Sequence, residues 1–340
     1  MQTAVFRKST GLVIEDIPIP ELDRNQVLVK IADTGFCGSD HTFIETEGTP
    51  DGIILGHEVS GTVTDMGPDV TNVSNGMRVI IRPTFCGECH GCSMGKPQLC
   101  SNNRRSIGIG DLSGGFAEYI KVFPQMLIPI PDNVDSQNAA LAEVCAVSLH
   151  AIKSSGKKSG SVLVIGGGTV GLSLVSLLKL YDFHPIVVSE PVLEKRVHAL
   201  EFGADIAINP LTENLNQRAF EINNGTGFET VFECVGLQGL ISTAMDVAAQ
   251  GGTICQLSVM FENIEINPAT MMFKELHLTA SYGNTHEENK ECLKWMAEGK
   301  LDAKPLISDL ITLDQLPDIY RERIHTGKAR KVLLQIGEEF

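Results

Sequence analysis

Four cysteines within a stretch of fifteen residues form the densest group of potential metal ligands in the sequence: Cys86, Cys89, Cys92 and Cys100. Four thiolates from one loop suit a tetrahedral zinc ion, and a site whose four positions are all filled by protein is structural. An iron–sulfur cluster is also held by four cysteines, so the spacing leaves a second possible occupant. His90, inside the same loop, is more readily explained as a solvated neighbour than as a ligand. The spacing predicts a structural zinc site.

A second set of potential ligands is dispersed along the chain. Cys37 lies in the run GFCGSD, His57 and Glu58 lie in GHEVSG, and Glu143 lies in LAEVC. A lone cysteine is most often a small buried hydrophobe, and an acid near a helix N-terminus is stabilised there without any metal. Taken singly, these residues leave their chemistry open.

A glycine-rich turn gives the clearest cofactor signal. The run VLVIGGGTVG places the pattern G-x-G-x-x-G directly after an apolar strand and before an apolar helix. The first glycine permits a tight turn, the second lets the backbone approach a pyrophosphate, and the third lets the helix pack closely on the strand. We therefore predict a dinucleotide-binding turn that comprises Gly166, Gly168, Thr169, Val170 and Gly171.

An acidic residue at the end of the next predicted strand indicates which dinucleotide binds. Glu190 stands nineteen residues after Gly171. A carboxylate at this place accepts hydrogen bonds from the adenosine ribose and repels the 2′-phosphate of NADP, so NAD is the predicted cofactor. Lys195 and Arg196 are near enough to soften this preference, and Lys195 is included among the candidate cofactor-binding residues, although both fit the solvated face of the following helix.

The elements that must position these residues change in character along the chain. Up to about residue 143, short strands are separated by Gly and Pro, which predicts a mostly antiparallel β region. From about residue 147, apolar strands alternate with helices, which predicts a doubly wound parallel sheet of the Rossmann kind. We therefore predict an α/β protein in which residues 147–281 bind NAD, and the tail from residue 282 either caps this domain or returns to the first.

Composition excludes several classes of function. The 340 residues include 27 Lys and Arg against 42 Asp and Glu, and the resulting net charge of −15 disfavours a nucleic-acid partner. No apolar stretch approaches the roughly 20 residues that a membrane span needs, and no basic-then-apolar leader opens the chain. Nine cysteines without such a leader indicate a reducing compartment. We expect a soluble, cytoplasmic protein without a membrane partner.

Taken in order, these motifs resemble those of the zinc-containing medium-chain alcohol and polyol dehydrogenases. The resemblance spans nearly the whole chain and also includes GGFAEY at residues 114–119 and GAD at residues 203–205. It implies a GroES-like, mostly antiparallel β catalytic domain of residues 1–146 and 282–340 that holds both zinc sites, two zinc ions per chain, and a Rossmann domain of residues 147–281 for NAD. It also implies a homodimer or a homotetramer.

The resemblance assigns roles to the dispersed residues. In that family, the residues that match Cys37 and His57 bind the catalytic zinc, and the one that matches Glu58 approaches it. A third ligand comes from the position of Glu143, which is Glu in the sorbitol, butanediol and threonine branch. This chain is similar to that branch, although Val144 replaces the usual proline. The sequence leaves open whether Glu143 or Glu58 binds the ion directly or through water.

The expected chemistry is the oxidation of an alcohol. Zinc with an open position makes a substrate hydroxyl easier to deprotonate, and hydride then passes to the nicotinamide. Ser39 matches the family hydroxyl that receives the proton. Many relatives have a relay histidine five residues after the ligand cysteine, whereas His41 here is four residues after it. The proton therefore leaves either through His41 or through Glu58, Glu143 and water.

The substrate is predicted only by class. We expect hydride transfer between NAD and a secondary alcohol of a polyol, sugar acid, diol or hydroxy amino acid. Ser281 stands where sorbitol dehydrogenases carry Arg, which counts against sorbitol itself. The alternatives are a zinc-free, NADPH-dependent enone or quinone reductase of the same superfamily and a non-catalytic NAD-binding protein. Glu190 argues against the first, and the complete second ligand set argues against the second.

Overall fold

The computed structural model describes all 340 residues, which divide into two compact units. Unit 1 comprises Met1–Glu143 and Thr285–Phe340, and unit 2 comprises Val144–Asn284. No helix in either unit combines the length and the apolar character needed to cross a membrane.

The first segment of unit 1 consists mainly of short strands, as predicted. Its elements are β1 (Gln2–Arg7), β2 (Gly11–Asp16), β3 (Val27–Gly35), α1 (Gly38–Glu45), β4 (Glu58–Met66), β5 (Arg78–Ile81), α2 (His90–Ser93), β6 (Tyr119–Val122) and β7 (Leu127–Pro129). Strands β1 and β2 form a separate antiparallel ribbon.

Unit 2 alternates strands and helices, as predicted. After α3 (Ser136–Ser154), which begins in unit 1, come β8 (Ser159–Ile165), α4 (Thr169–Leu178), β9 (Asp182–Ser189), α5 (Leu193–Glu201), β10 (Ile206–Ile208), α6 (Leu215–Ile222), β11 (Phe228–Glu233), α7 (Leu240–Val247), β12 (Ala248–Gln256), α8 (Pro268–Phe273) and β13 (His277–Ala280). The six strands are parallel, in the order β10-β9-β8-β11-β12-β13. This is the doubly wound order, and it confirms the Rossmann prediction.

The chain then returns to unit 1. The returning segment adds α9 (His286–Ala297), β14 (Asp309–Ile311), α10 (Leu316–Ile319), a π-helical turn (Tyr320–Ile324) and β15 (Val332–Gln335). Short 3-10 turns lie at Pro97–Leu99, Pro124–Met126, Lys304–Leu306 and Leu313–Gln315. The larger sheet has the order β14-β15-β3-β4-β5-β7, with β6 also paired to β3. Strand β15, from the end of the chain, is therefore a direct neighbour of β3.

The interior of this sheet is built from β-branched residues, which suit a pleated, buried surface. Val29, Val63 and Val79, from three neighbouring strands, are almost fully buried in one apolar cluster. Burial of each such side chain stabilises the fold by about 1.5–3 kcal/mol. The packing fixes the register of β3 against β4, in which Gly35 faces Glu58. That register places the last residue of β3 beside the first residue of β4, at one end of the sheet.

A buried carboxylate lies within the same sheet. Asp33, on β3 between β15 and β4, is fully buried, and neither carboxylate oxygen has a hydrogen bond of ordinary length. Burial raises the pKa of Asp33 to about 6; the Ser136 hydroxyl offsets this in part, and the Glu339 and Asp135 carboxylates add to it. Folded protein therefore binds a proton between about pH 4 and pH 6 that the unfolded chain does not bind.

We expect Asp33→Asn to stabilise the protein at neutral pH. Because the folded-state pKa is raised, wild-type stability falls as pH rises from about 4 to 6, by up to about 3 kcal/mol for this shift. Denaturant unfolding at pH 4.5 and pH 7.5 measures the effect. The gain should be about 3 kcal/mol at pH 7.5 and about 1 kcal/mol at pH 4.5, while Asp65→Asn, at an exposed position of β4, should give no such pH-dependent gain. A gain that is independent of pH would contradict this account.

Candidate metal centres and dinucleotide site

The four clustered cysteines meet around one point. Their Sγ atoms all lie within 4.8 Å of one another, with Cys92 Sγ 3.9 Å from Cys86 Sγ and 3.6 Å from Cys89 Sγ. Four sulfurs held at 2.3 Å by one tetrahedral zinc ion would be about 3.8 Å apart. None of these four cysteines forms a disulfide. The arrangement therefore fits a zinc ion.

Backbone N–H groups surround these sulfurs. Cys86 N donates to Cys100 Sγ at 3.4 Å, and Cys89 N donates to Cys86 Sγ at 3.3 Å. The backbone N–H groups of Cys92 and Ser101 lower the pKa of the Cys89 thiol to about 5, whereas burial raises that of Cys92 to about 12. The loop thus stabilises thiolate charge at part of the cluster, as a metal site requires. His90 is exposed and lies outside the cluster.

A second cluster forms at the end of the sheet where β3 finishes and β4 begins. Ligand atoms of Cys37, His57 and Glu58 all lie within 4.8 Å of one another. Cys37 is the N-cap residue of α1, and Glu58 opens β4 opposite Gly35. A Cβ atom at Gly35 would lie 2.0 Å from Glu58 Oε2, so only glycine leaves room for this carboxylate.

Glu58 provides the observation that tests whether a cation fits this cluster. Its side chain is fully buried, and Oε1 has no hydrogen-bond partner. A buried carboxylate oxygen without a donor is costly unless a cation compensates it. One thiol, one imidazole and this carboxylate therefore fit a zinc ion that keeps a coordination position open.

Asp40 orients the histidine of this cluster. It is fully buried; its Oδ1 lies 3.3 Å from His57 Nδ1, and its Oδ2 accepts from Cys37 N at 2.9 Å. A carboxylate on one imidazole nitrogen fixes the ring so that the other nitrogen faces the metal. Burial alone would lower the pKa of His57, but Asp40 and Cys37 together raise it. Ser39 Oγ lies 3.4 Å from His57 Nε2, beside the cluster.

The sequence interpretation gave Asp40 no role, although it lies in the same GFCGSD run. Its position at N3 of α1, where an acid completes a capping box with the N-cap backbone, was the available signal.

Lys331 is a second residue that the sequence interpretation missed. Its side chain is buried, Nζ forms an ion pair with Glu58 Oε2, and Nζ also donates to Phe36 O at 3.0 Å. Burial alone would lower the pKa of Lys331, but the charges of Glu58, Cys37 and Glu143 raise it. The lysine therefore remains a cation beside the cluster.

Glu143 lies outside the three-residue cluster. Its Oε1 is 2.9 Å from Arg82 Nη2, and both side chains are buried. Arg82 Nη1 also donates to His57 O at 3.4 Å. Arg82 therefore holds Glu143 next to the backbone of a cluster residue.

His41 is engaged with other partners. Its Nδ1 lies 3.0 Å from the hydroxyl of Tyr320, which in turn donates to Glu45 Oε1 at 2.6 Å. His41, Glu45 and His325 form a third group of potential ligands in unit 1.

In unit 2, the glycine turn between β8 and α4 has the properties that its pattern predicts. Gly166 has a φ of 105°, in the left-handed region that favours glycine. A Cβ atom at Gly171 would lie 1.9 Å from Gly166 O, and a Cβ atom at Gly168 would meet nothing within 4 Å. The fold requires glycine at positions 166 and 171. Gly168, the N-cap of α4, instead leaves open space at the start of the helix, whose first residues are Thr169 and Val170. That space suits a pyrophosphate.

Glu190 follows β9 and points back to this turn. Its Oε2 accepts from Gly167 N at 2.8 Å and its Oε1 from Val192 N at 2.9 Å, so the buried carboxylate is fixed in place. Arg196 Nη1 donates to the carbonyl oxygens of Glu190 and Pro191 at 2.8 and 2.7 Å. Lys195 lies half-buried on α5.

Comparison with known proteins covers nearly the whole chain. The model of the alcohol dehydrogenase GroES-like domain matches residues 23–132, and that of the zinc-binding dehydrogenase matches residues 169–298. An L-threonine 3-dehydrogenase of Francisella philomiragia is 30% identical over 347 residues, which cover 97% of this chain and 98% of that protein. Galactitol-1-phosphate dehydrogenase from Escherichia coli has a TM-score of 0.92 at 25% identity, covering 98% of this chain and 100% of that one. A structure from Sinorhizobium meliloti 1021, described as a zinc-binding dehydrogenase bound to NADP, has a TM-score of 0.89 at 31% identity and covers 98% of each chain.

Proposed function

The chain belongs to the zinc-containing medium-chain alcohol dehydrogenase family, and on that premise we propose that it is an NAD-dependent enzyme with two zinc ions per chain. It is a zinc-dependent oxidoreductase that acts on hydroxyl substrates. The preference for NAD, the number of zinc ions and the residues that bind them are the parts that we propose.

The observation that carries this function is the convergence of Cys37, His57 and the buried carboxylate of Glu58. We place the catalytic zinc on these three residues and the structural zinc on the four clustered cysteines. Zinc bound at the first set acts as a Lewis acid toward a substrate hydroxyl. We infer that Glu143 would contact the zinc ion through a water molecule rather than directly, since Arg82 already binds its carboxylate.

The residues around the proposed catalytic site divide the remaining tasks. Ser39 Oγ, beside His57 Nε2, accepts the proton of the substrate hydroxyl. Asp40 keeps the His57 ring in one orientation, and Lys331 neutralises the second oxygen of Glu58. Ser39 then passes its own hydroxyl proton to water beside Glu143. Glu58 is left out of this path because zinc and Lys331 would occupy its two oxygens. His41 is left out because its Nδ1 is bonded to Tyr320.

The proposed cofactor site lies wholly in unit 2. The turn at Gly166, Gly168, Thr169, Val170 and Gly171 receives the pyrophosphate. Glu190, held by two backbone N–H groups, presents negative charge where the adenosine ribose binds. NAD, when bound, supplies the hydride acceptor.

The proposed substrates are polar secondary alcohols: polyols, sugar acids, diols and hydroxy amino acids. The test is NADH absorbance with the purified zinc-loaded enzyme over L-threonine, 2,3-butanediol, aldonates, polyols and polyol phosphates at alkaline pH. We expect turnover on at least one of them that is lost when zinc is removed by a chelator and restored when zinc is added back. Turnover that survives complete removal of zinc would overturn the proposal.

Glu190→Ala tests the cofactor preference. A unit charge about 4 Å from another is worth about 4 kcal/mol at the effective dielectric constant near a protein surface. Removal of the carboxylate should therefore shift the ratio of kcat/KM for NAD to that for NADP toward NADP by about 100- to 1,000-fold. The matched control is Glu194→Ala, an exposed acid on α5, which should leave the ratio unchanged. Wild-type enzyme that already prefers NADP would contradict the assignment.

We also propose a homo-oligomer in which unit 2 pairs with a second copy. Strand β13 is at the edge of its sheet and is paired on one side only, by β12. Edge strands present unpaired N–H and C=O groups. Leu278 on β13 is exposed, as are Met272 and Phe273 on α8, which precedes it. An exposed edge with large apolar side chains suits an identical chain.

The proposed location is a reducing compartment such as the cytoplasm. None of the nine cysteines forms a disulfide, although four of them converge.

A further inference from the structure

Two imidazoles and a carboxylate that belong to neither cysteine-containing cluster come together in unit 1. The ligand atoms of His41, Glu45 and His325 all lie within 4.8 Å of one another. His41 and Glu45 are four residues apart on α1, so their side chains share one face of the helix. His325 directly follows the π-helical turn near the end of the chain. The group therefore joins two segments that are distant in the sequence.

The π-helical turn brings His325 to this position. It is closed by a hydrogen bond from His325 N to Tyr320 O at 2.8 Å, which spans five residues. The ring centroids of Tyr320 and His325 are 6.1 Å apart, and those of His41 and His325 are 5.8 Å apart. Such turns are rare and occur frequently at functional sites.

Tyr320 positions His41 and Glu45 through its hydroxyl group. Since its hydroxyl donates to Glu45 Oε1, it accepts from His41 Nδ1. His41 then carries its proton on Nδ1 and a lone pair on Nε2, which is the state of a metal-binding imidazole with a hydrogen-bonded second nitrogen. His325 Nδ1 lies 3.3 Å from the same oxygen of Glu45.

The charges around the group favour a cation. The Tyr320 hydroxyl and the two histidines hold the pKa of Glu45 below its usual range, so the carboxylate is ionised. Arg321 and Arg323 of the same turn are paired with Asp318 and Asp309. No lysine or arginine forms an ion pair with Glu45.

We propose that His41, Glu45 and His325 form a third metal site, which takes a divalent transition-metal ion such as Zn²⁺, Co²⁺ or Ni²⁺. Imidazole nitrogen suits these ions, whereas Ca²⁺ and Mg²⁺ prefer all-oxygen sites. Tyr320 is a positioning residue, because it acts through Glu45 and His41. Glu45 and His325 are exposed, so the remaining coordination positions face solvent and the ion exchanges readily.

The test is calorimetric titration of Ni²⁺ into tag-free protein that has been loaded with zinc and then dialysed to two zinc ions per chain, so that the exchangeable third site is empty. We expect one Ni²⁺ to bind per chain with no loss of zinc, and His325→Ala to remove this binding. Tyr320→Phe keeps all three ligands and should weaken binding by about 10- to 100-fold, as loss of an outer partner does at other metal sites. Ni²⁺ should also raise the melting temperature of the wild type but not that of His325→Ala, since the ion links two distant segments.

A matched control separates a built site from binding at any exposed histidine. His184 Nδ1 lies 3.3 Å from Asp205 Oδ2, the same separation as in the His325–Glu45 pair, but this pair has no third ligand. His184→Ala should leave the Ni²⁺ stoichiometry unchanged. Absence of binding in the wild type, or equal binding in His325→Ala, would overturn the site, and equal affinity in Tyr320→Phe would overturn the role of Tyr320. The titration reads no turnover, so its outcome is independent of the proposed dehydrogenase activity.

Discussion

Cys37→Ala is expected to lower kcat/KM for the alcohol substrate by about 1,000-fold or more and to reduce the zinc content from two ions per chain to one. Cys37 supplies one of three converging ligand atoms, and the remaining pair, His57 and Glu58, is too small a set to hold the ion in an open site. Lewis-acid stabilisation is worth several kcal/mol, and each 1.36 kcal/mol is a factor of ten in rate. Metal analysis and steady-state kinetics of the same preparation measure both effects.

A second cysteine variant supplies the control. Cys292 is fully buried in unit 1 but belongs to neither cysteine cluster, so Cys292→Ala should retain two zinc ions and most of the activity. The Cys37→Ala protein should keep its circular dichroism spectrum and its affinity for NAD, because the glycine turn lies in unit 2. Full activity in Cys37→Ala with unchanged zinc would refute the assignment of the catalytic site.

The second large effect is expected in stability. Lys331→Met leaves the fully buried Glu58 without its ion-pair partner, and removal of one member of a buried pair costs about 3–5 kcal/mol. Zinc on Glu58 would compensate the same charge, so the loss should be larger after treatment with a chelator than in the zinc-loaded protein. Denaturant unfolding in the two states measures the difference.

Two variants show whether charge is the cause. Lys331→Arg retains a cation and should recover part of the stability, within the limits of its different shape. In the metal-free protein, Lys331→Met combined with Glu58→Gln should be more stable than Lys331→Met alone, because the uncompensated charge is gone. If the double variant were no more stable than the single one, lost packing rather than the ion pair would explain the effect.

Features that depend on residues close together in the sequence could be predicted. Most strands of both units and the turn at Gly166 follow from local apolar runs and glycine spacing, and the structure confirms them. Helix α3 gave no such signal, because Ala139–Ala142 are buried in succession and a helix that is apolar on all sides shows no period. The chain passes from unit 1 to unit 2 inside this helix.

Apart from Asp40, which lies three residues after Cys37, the partners of the site residues could not be predicted, because they come from distant parts of the chain. Lys331 contacts Phe36 across 295 residues, Tyr320 contacts His41 across 279, and Arg82 contacts Glu143 across 61. No motif connects such positions in one sequence. The ligands themselves lie in short local runs, and only the folded sheet shows which buried cation or carboxylate supports each of them.

The placement of β15 also affects the order in which the protein can fold during translation. All of unit 2 leaves the ribosome as one continuous stretch, whereas the larger sheet of unit 1 stays incomplete until its strand at Val332–Gln335 has been synthesised. Domains fold as their residues become available, so unit 2 can fold first. A nascent chain that stops before Lys331 leaves the end of β3 as an open edge and Glu58 uncompensated, and such truncated products would be prone to aggregation.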